Sequence, residues 1–299
     1  MNNIITDPAL ARIGWIGTGI MGAPMAMYLA DAGFNVSVYS RSKNKAEEHI
    51  ARGCTWYDSP ADLAADCNII FTIVGYPEDV EEVYFGKEGI MKSLKKGSVV
   101  IDMTTTLPGL AVKIDAACRE IGAHAVDAPV SGGQVGAVNG TLSVMIGGEK
   151  EVVEKVLPII EKFSQNMVYQ GPAGSGQHTK VCNQVTVAGT MIGVCEALLY
   201  GSKAGLDLTT VLSSISKGAA GCWSLDVLAP KIVAGDYEPG FMVEHFVKDL
   251  GIALAEAEQM NLKLPGTSMA KELYETLIEM GKSTKGTQAL YLALEKMND

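Results

Sequence analysis

Short apolar runs alternate with longer amphipathic stretches through the first half of the chain. Ile13–Gly17 (IGWIG), Asn35–Tyr39 (NVSVY), Asn68–Val74 (NIIFTIV) and Ser98–Met103 (SVVIDM) have strand length and almost no polar positions. Such runs suit parallel strands buried on both faces, where an alternating pattern would mark a sheet with one wet face. Segments of helix length separate them, among them Ser42–Ala51 and Leu110–Ile121. Strand-helix alternation predicts βαβ units and a doubly wound sheet, with further strands at His124–Ala128 and Leu142–Ile146.

The pattern changes after the glycine-rich run Gly171-Pro172-Ala173-Gly174-Ser175-Gly176. From Gln177 to about Ala204 the spacing is helical and free of proline. Helical segments follow at about 207–217, 222–233, 244–260, 265–281 and 284–297, with no strand signal. The expected organisation is an α/β domain over 1–173 and an all-helical domain over 174–299, joined by one long helix.

Composition narrows the class. Of 299 residues 47% are apolar and 19% charged, the balance of a folded globular chain. Two domains are expected at this length. Lys and Arg number 24 against 34 Asp and Glu, a net charge of −10. That charge argues against nucleic-acid or anionic-membrane binding, which needs clustered positive charge. No apolar run is long enough to span a bilayer, because Val185–Leu199 is interrupted by Thr186, Gly189, Thr190, Gly193 and Glu196. The start MNNIITDPALAR lacks a signal-peptide pattern. The six cysteines form no CxxC pair and no zinc-ligand spacing, so reduced thiols in the cytoplasm and no metal are expected. All four arginines (Arg12, Arg41, Arg52 and Arg119) lie in the first 120 residues. An anion bound further along must use lysine, hydroxyl, amide or backbone donors.

The first candidate site directly follows a strand. Gly17-Thr18-Gly19-Ile20-Met21-Gly22 is G-x-G-x-x-G opening a helix. The first glycine permits the tight turn, the second admits a pyrophosphate and the third lets helix and strand pack closely. The helix N-terminus adds N–H donors. This is a dinucleotide site. A ribose 2′-OH is usually met by an acid at the end of the second strand, but here that end reads Ser40-Arg41-Ser42. A guanidinium flanked by two hydroxyls suits a 2′-phosphate, so NADP is expected over NAD.

Two more segments carry chemistry. Ser131-Gly132-Gly133 offers a hydroxyl and unobstructed backbone N–H groups, a small nest for a carboxylate where no arginine is near in sequence. The alternative is a plain glycine loop between strands. Lys180, Asn183 and Gln184 follow the glycine-rich run at helical spacing and share one face. A lysine there suits proton transfer to a carbonyl oxygen, while an exposed helix lysine is the ordinary case.

Together these motifs resemble the β-hydroxyacid dehydrogenase family. Gly17–Ala26 is similar to its N-terminal signature. Asp127-Ala128-Pro129-Val130-Ser131-Gly132-Gly133, with Gly136-Ala137 and Gly140-Thr141-Leu142, resembles its substrate segment. Gly174–Asn183 resembles its catalytic segment, and Lys248-Asp249-Leu250 its distal cofactor contact. The resemblance implies a Rossmann domain followed by a helical, often dimerising, domain. It implies Lys180 as general acid and base, with substrate contacts at Ser131, Gly132, Gly133 and Asn183. Cofactor contacts are implied at Val74, Thr105 and Lys248. Many relatives have Leu-Pro where this chain has Val74-Gly75, and some have a second Asn in place of Gln184. The implied substrates are short carboxylates: 3-hydroxyisobutyrate, tartronate semialdehyde, glyoxylate or succinic semialdehyde. His178 and His245 are read as packing or surface residues, and Trp223, which could wall the cleft, as a core tryptophan. The competing readings are a non-catalytic dinucleotide-binding scaffold, which Lys180 disfavours, and imine reductases or phosphogluconate dehydrogenases of similar architecture.

Overall fold

The computed structural model describes residues 4–298, which divide into two compact units, one ending at Lys180 and the other beginning at Val181. The division falls inside a helix, seven residues beyond the boundary expected at 173/174.

The first unit is built on one nine-stranded sheet. Its strands are β1 (Arg12–Ile16), β2 (Asn35–Tyr39), β3 (Thr55–Trp56), β4 (Ile69–Thr72), β5 (Val99–Asp102), β6 (His124–Asp127), β7 (Val130–Ser131), β8 (Leu142–Gly148) and β9 (Ser164–Gly171). β3-β2-β1-β4-β5-β6 are parallel neighbours, the Rossmann order with its switch point between β1 and β4. β8 then runs antiparallel to β6 and β7, and β9 lies parallel to β8. The helices are α1 (Gly22–Asp31), α2 (Glu47–Ala51), α3 (Pro60–Asp66), α4 (Pro77–Phe85), α5 (Pro108–Glu120), α6 (Gly133–Asn139) and α7 (Lys150–Ile160). α3, α4 and α5 each open on a proline, whose missing N–H is no loss in the first turn.

The unbroken apolar runs have their reason in two cores, one on each face of the sheet. Ile69, Phe71, Val99 and Ile101 face one core, where Trp15 stacks on Phe71 with ring centroids 5.1 Å apart. Ile70, Val100 and Ala125 face the other, against α3, α4 and α5. The unpredicted strands are those without this signature. β9 (SQNMVYQG) buries only Ser164 and reads as polar. β3 and β7 are two residues each, too short for a periodicity. The glycine segment after β7 passes into α6 and is not the plain loop of the alternative reading.

The long helix α8 (Ser175–Lys203, 29 residues) runs from the first unit into the second. Against the expectation from its interrupting polar residues, it is by length and composition alone long and apolar enough to cross a membrane, with a third of its most apolar window buried in the protein. The second unit continues with α9 (Leu208–Ile215), α10 (Ala229–Val233), α11 (Val243–Gln259), α12 (Pro265–Glu279) and α13 (Leu290–Met297). The Asp207 carboxylate caps α9 through the Thr210 N–H at 2.7 Å. The helix expected over 222–233 is a π-helical turn, Ser224–Leu228, leading into α10, where Pro230 has no N–H to continue an α ladder. Met191, Cys195, Leu198, Phe246, Leu250, Tyr274 and Leu290 form the centre of this core. Tyr274 meets Phe246 edge-on and donates its hydroxyl to the Thr287 carbonyl at 2.9 Å.

Candidate active site

The parallel strands β2, β1, β4, β5 and β6 all end at one edge of the sheet, so the loops after them gather there. This is where open α/β sheets bind ligands. The glycine loop follows β1. Gly17 has φ +103°, and a Cβ there would lie 2.0 Å from the Ile73 carbonyl oxygen. A Cβ on Gly22 would lie 2.0 Å from the Gly17 carbonyl oxygen. The Trp15 indole N–H donates to that same Gly17 oxygen at 3.0 Å, tying the loop to the core. Above Gly19 the space is open. α1 has no side-chain cap, and the Thr18 hydroxyl is buried with no partner among the described residues. Room, uncapped helix N–H groups and an unsatisfied buried hydroxyl fit a dinucleotide pyrophosphate.

The loop after β4 is held to the loop after β5. The Val74 N–H donates to Thr104 Oγ1 at 3.0 Å, which leaves the Val74 side chain out of the link. Asp102 Oδ1, at the end of β5, accepts from Thr72 Oγ1 at 2.8 Å and from the Thr104 N–H at 3.1 Å. Its Oδ2 is buried with no partner among the described residues. Burial pushes the Asp102 carboxyl up to about 6, with the neighbouring Asp127 adding to the rise and the hydrogen bonds from Thr104 and Thr72 opposing it.

Asp127, one strand further, anchors the start of α8. Its two carboxylate oxygens accept the N–H groups of Gly174 at 2.8 Å and Gln177 at 2.9 Å. Burial raises this carboxyl too, against those N–H groups. The fully buried Gln177 side chain then grips the β5 loop on both sides of Thr105. Its Oε1 accepts the Thr106 N–H at 3.0 Å and its Nε2 donates to the Thr104 carbonyl at 2.7 Å. Lys180 lies one helical turn beyond Gln177 and is only 6% exposed. The lysine is therefore drawn out of water and fixed, through Gln177 and Asp127, to the strand ends that carry Thr105. Ser131, Gly132 and Gly133 lie where β7 passes into α6, all half-buried, with Gly132 at φ +129° and Gly133 at φ +60°.

In the second unit α8 and α11 carry a chain of polar groups. Asn183 Nδ2 donates to Gln184 Oε1 at 2.7 Å, and Gln184 Nε2 donates to Asp249 Oδ2 at 2.5 Å. Lys248 Nζ lies 2.9 Å from Asp249 Oδ1, with both side chains largely buried.

At the end of β2, Ser40 is half-buried, while Ser42 and Arg41 are exposed. The Arg41 guanidinium pairs with Asp79 at 2.9 Å and remains 85% exposed. His178 is exposed, His245 stacks on Phe241, and Trp223, expected in the core, is instead 52% exposed. Among the described residues no three His, Cys, Asp or Glu side chains group as metal ligands. Sequence reasoning gave no role to Asp102, Thr104, Asp127, Gln177 or Trp15. The available signal was two apolar strands, VVID and HAVD, that each end on an acid.

The sequence model of the NAD-binding domain of 6-phosphogluconate dehydrogenase matches residues 12–171. The NAD-binding model of NADP-dependent 3-hydroxyisobutyrate dehydrogenase matches residues 174–294. The chain belongs to the β-hydroxyacid dehydrogenase family. Members are NAD(P)-dependent oxidoreductases acting at a CH–OH carbon, and this chain is one of them. It is 45% identical over its whole length to a probable 3-hydroxyisobutyrate dehydrogenase-like protein of Arabidopsis thaliana, covering 89% of that protein. It is 38% identical to 2-hydroxy-3-oxopropionate reductase of Escherichia coli over 96% of this chain and 98% of that one. The structure of Mycobacterium tuberculosis 3-hydroxyisobutyrate dehydrogenase with L-serine superimposes with a TM-score of 0.86 at 27% identity, covering 95% of this chain and 99% of that one.

Proposed function

We propose that this chain interconverts a short β-hydroxyacid and its semialdehyde with NADP(H), using Lys180 as the proton-transfer group. The observation that carries the reading is the burial of Lys180 one turn from Gln177, on the helix start that Asp127 anchors to the strand ends. A bare lysine on a solvated helix face would have no such scaffold. Gly17–Gly22 would hold the pyrophosphate, with Val74 and Thr105 flanking the nicotinamide end and Lys248 as its distal contact. When bound, the cofactor supplies hydride to the carbonyl carbon and accepts it back from the alcohol. Lys180 Nζ gives a proton to the carbonyl oxygen during reduction and takes it from the hydroxyl during oxidation. Ser131 and the Gly132 and Gly133 N–H groups receive the substrate carboxylate, and Asn183 orients the substrate.

NADP preference rests on Arg41 at the end of β2, where no acid meets a ribose 2′-OH. Asp79 holds Arg41 at 2.9 Å, and a 2′-phosphate would compete for the same guanidinium. Six free thiols among the described residues accord with a reducing cytoplasm. The helical unit exposes Tyr200 on α8, 76% accessible, in keeping with a homodimer formed through that unit.

The test is oxidation of NADPH, with NADH in parallel, against tartronate semialdehyde, methylmalonate semialdehyde, succinic semialdehyde and glyoxylate. Turnover of one member with NADPH favoured is the expected result. No turnover by protein that still binds NADPH would refute the assignment.

A further inference from the structure

Asn183 is bonded to one residue that no role has claimed. Gln184 is 3% exposed and has two partners of opposite demand. On one side is the Asp249 carboxylate, paired with the Lys248 ammonium, which can only accept. Gln184 must therefore turn Nε2 toward Asp249. That leaves Oε1 facing Asn183, which in turn must offer Nδ2, as the 2.7 Å contact records. We propose that Gln184 is a positioning residue that locks the amide rotation of Asn183, so that Asn183 turns its carbonyl Oδ1, an acceptor, away from α11. The polarity runs in one direction, from Asp249 through Gln184 to Asn183, and none of the three can reverse alone.

The consequence concerns selectivity, and it rests on the proposed contact between Asn183 and substrate. The reacting hydroxyl has one proton, which goes to Lys180. A second donor on the substrate is then what can satisfy Asn183 Oδ1. A hydroxyl or ammonium on the carbon between the carboxylate and the reacting carbon supplies one, and a methyl there does not. Asn183 is half-buried, and once substrate covers it an unmatched acceptor is penalised more than a matched one is rewarded. Gln184 thus favours 3-hydroxyacids with a donor at C2 over those with an alkyl group.

The assay compares kcat/KM for glycerate and serine against 3-hydroxyisobutyrate, as a ratio, so that changes in cofactor binding cancel. The wild type is expected to favour the donor-bearing substrates by at least about tenfold. Gln184→Met, close in size but unable to bond either Asn183 or Asp249, should bring the ratio near one by lowering the donor-bearing member, and the fall in Tm from leaving the buried Asp249 carboxylate without this partner is common to both substrates and cancels in the ratio. The exchange variant Gln184→Glu with Asp249→Asn keeps an acceptor facing Asn183 and should restore the ratio. An unchanged ratio in Gln184→Met, or a collapsed ratio in the exchange variant, would overturn the proposal. A second readout needs no substrate. With 15N confined to asparagine side chains, the Asn183 amide (assigned by its loss in Asn183→Leu) should exchange its protons faster in Gln184→Met but not in the exchange variant. An Asn183 amide indifferent to Gln184→Met would also overturn it. Failure of every hydroxyacid to react, with the amide behaving as expected, would instead count against the assigned reaction alone.

Discussion

Replacing Asp102 with asparagine removes a proton-binding group from the middle of the first unit while keeping its size. Asp102 Oδ1 accepts from Thr72 and Thr104, and an amide oxygen can do the same. In the unfolded chain the carboxyl titrates at its ordinary 3.8, and in the folded chain burial holds it up at about 6. Below pH 3.8 both states are protonated. Between these values the unfolded state has lost its proton and the folded state has not. The unfolded state then binds fewer protons, so stability falls as pH rises through the window. At about 1.4 kcal/mol per pH unit the fall totals about 3 kcal/mol, complete by about pH 7. Asparagine does not titrate, so relative to Asp102→Asn the wild type should lose about 2.4 kcal/mol of that total between pH 4 and 7. The amide Nδ2 adds a constant offset wherever it finds no acceptor, and a constant leaves the slope unchanged. Removing the charge also relieves Asp127, which reinforces the difference. The assay is urea unfolding of both proteins at several pH values, in a Trp223→Phe background. Fluorescence then reports Trp15 and Trp56, both in the first unit. A difference between the two proteins that stays constant with pH, or in which the wild type gains, would refute the burial argument.

Lys180→Ala should lower turnover by roughly 10²–10⁴-fold while the NADPH dissociation constant, read by fluorescence titration, barely moves. Near-normal turnover would remove the lysine from the mechanism. Arg41→Ala should weaken NADPH binding by roughly 10- to 100-fold and leave NADH nearly untouched. Equal losses would mean that Arg41 serves the fold or the adenine. Asp79→Asn frees Arg41 from its exposed pair and should tighten NADPH by about two- to fivefold, measured by calorimetry. Gln177→Leu leaves the Thr106 N–H and the Thr104 carbonyl without their buried partner and should cost about 2–4 kcal/mol by urea unfolding. It should also raise the KM for NADPH as the Thr105 loop loosens.

What could be read from the sequence follows from how each residue is determined. β1, β2, β4 and β5 bury both faces, so their apolar runs stand out, and the glycine loop is legible because backbone crowding excludes a side chain at Gly17 and Gly22. β9 was invisible because an edge strand with one buried residue has no pattern to show. α6 was hidden because glycines at positive φ at its start read as a turn. The candidate site divides along the same line. Lys180, Ser131 and Asn183 announce themselves by residue type and motif. Asp102, Asp127, Gln177 and Gln184 act through hydrogen bonds to groups up to 73 residues away in the chain, and the long-range pairings exist only once the sheet order and the α8–α11 contact are formed. A buried acid at the end of an apolar strand is the trace such residues leave. Burial of the carboxyl is tolerable where donors converge on it, the N–H groups of the α8 start on Asp127 and the Thr72 hydroxyl and Thr104 N–H on Asp102. Asp102 and Asp127 pair in register on neighbouring strands, one holding the Thr104 loop and the other the start of α8. The sheet register thus sets the distance between the loop that carries Thr105 and the helix that carries Lys180.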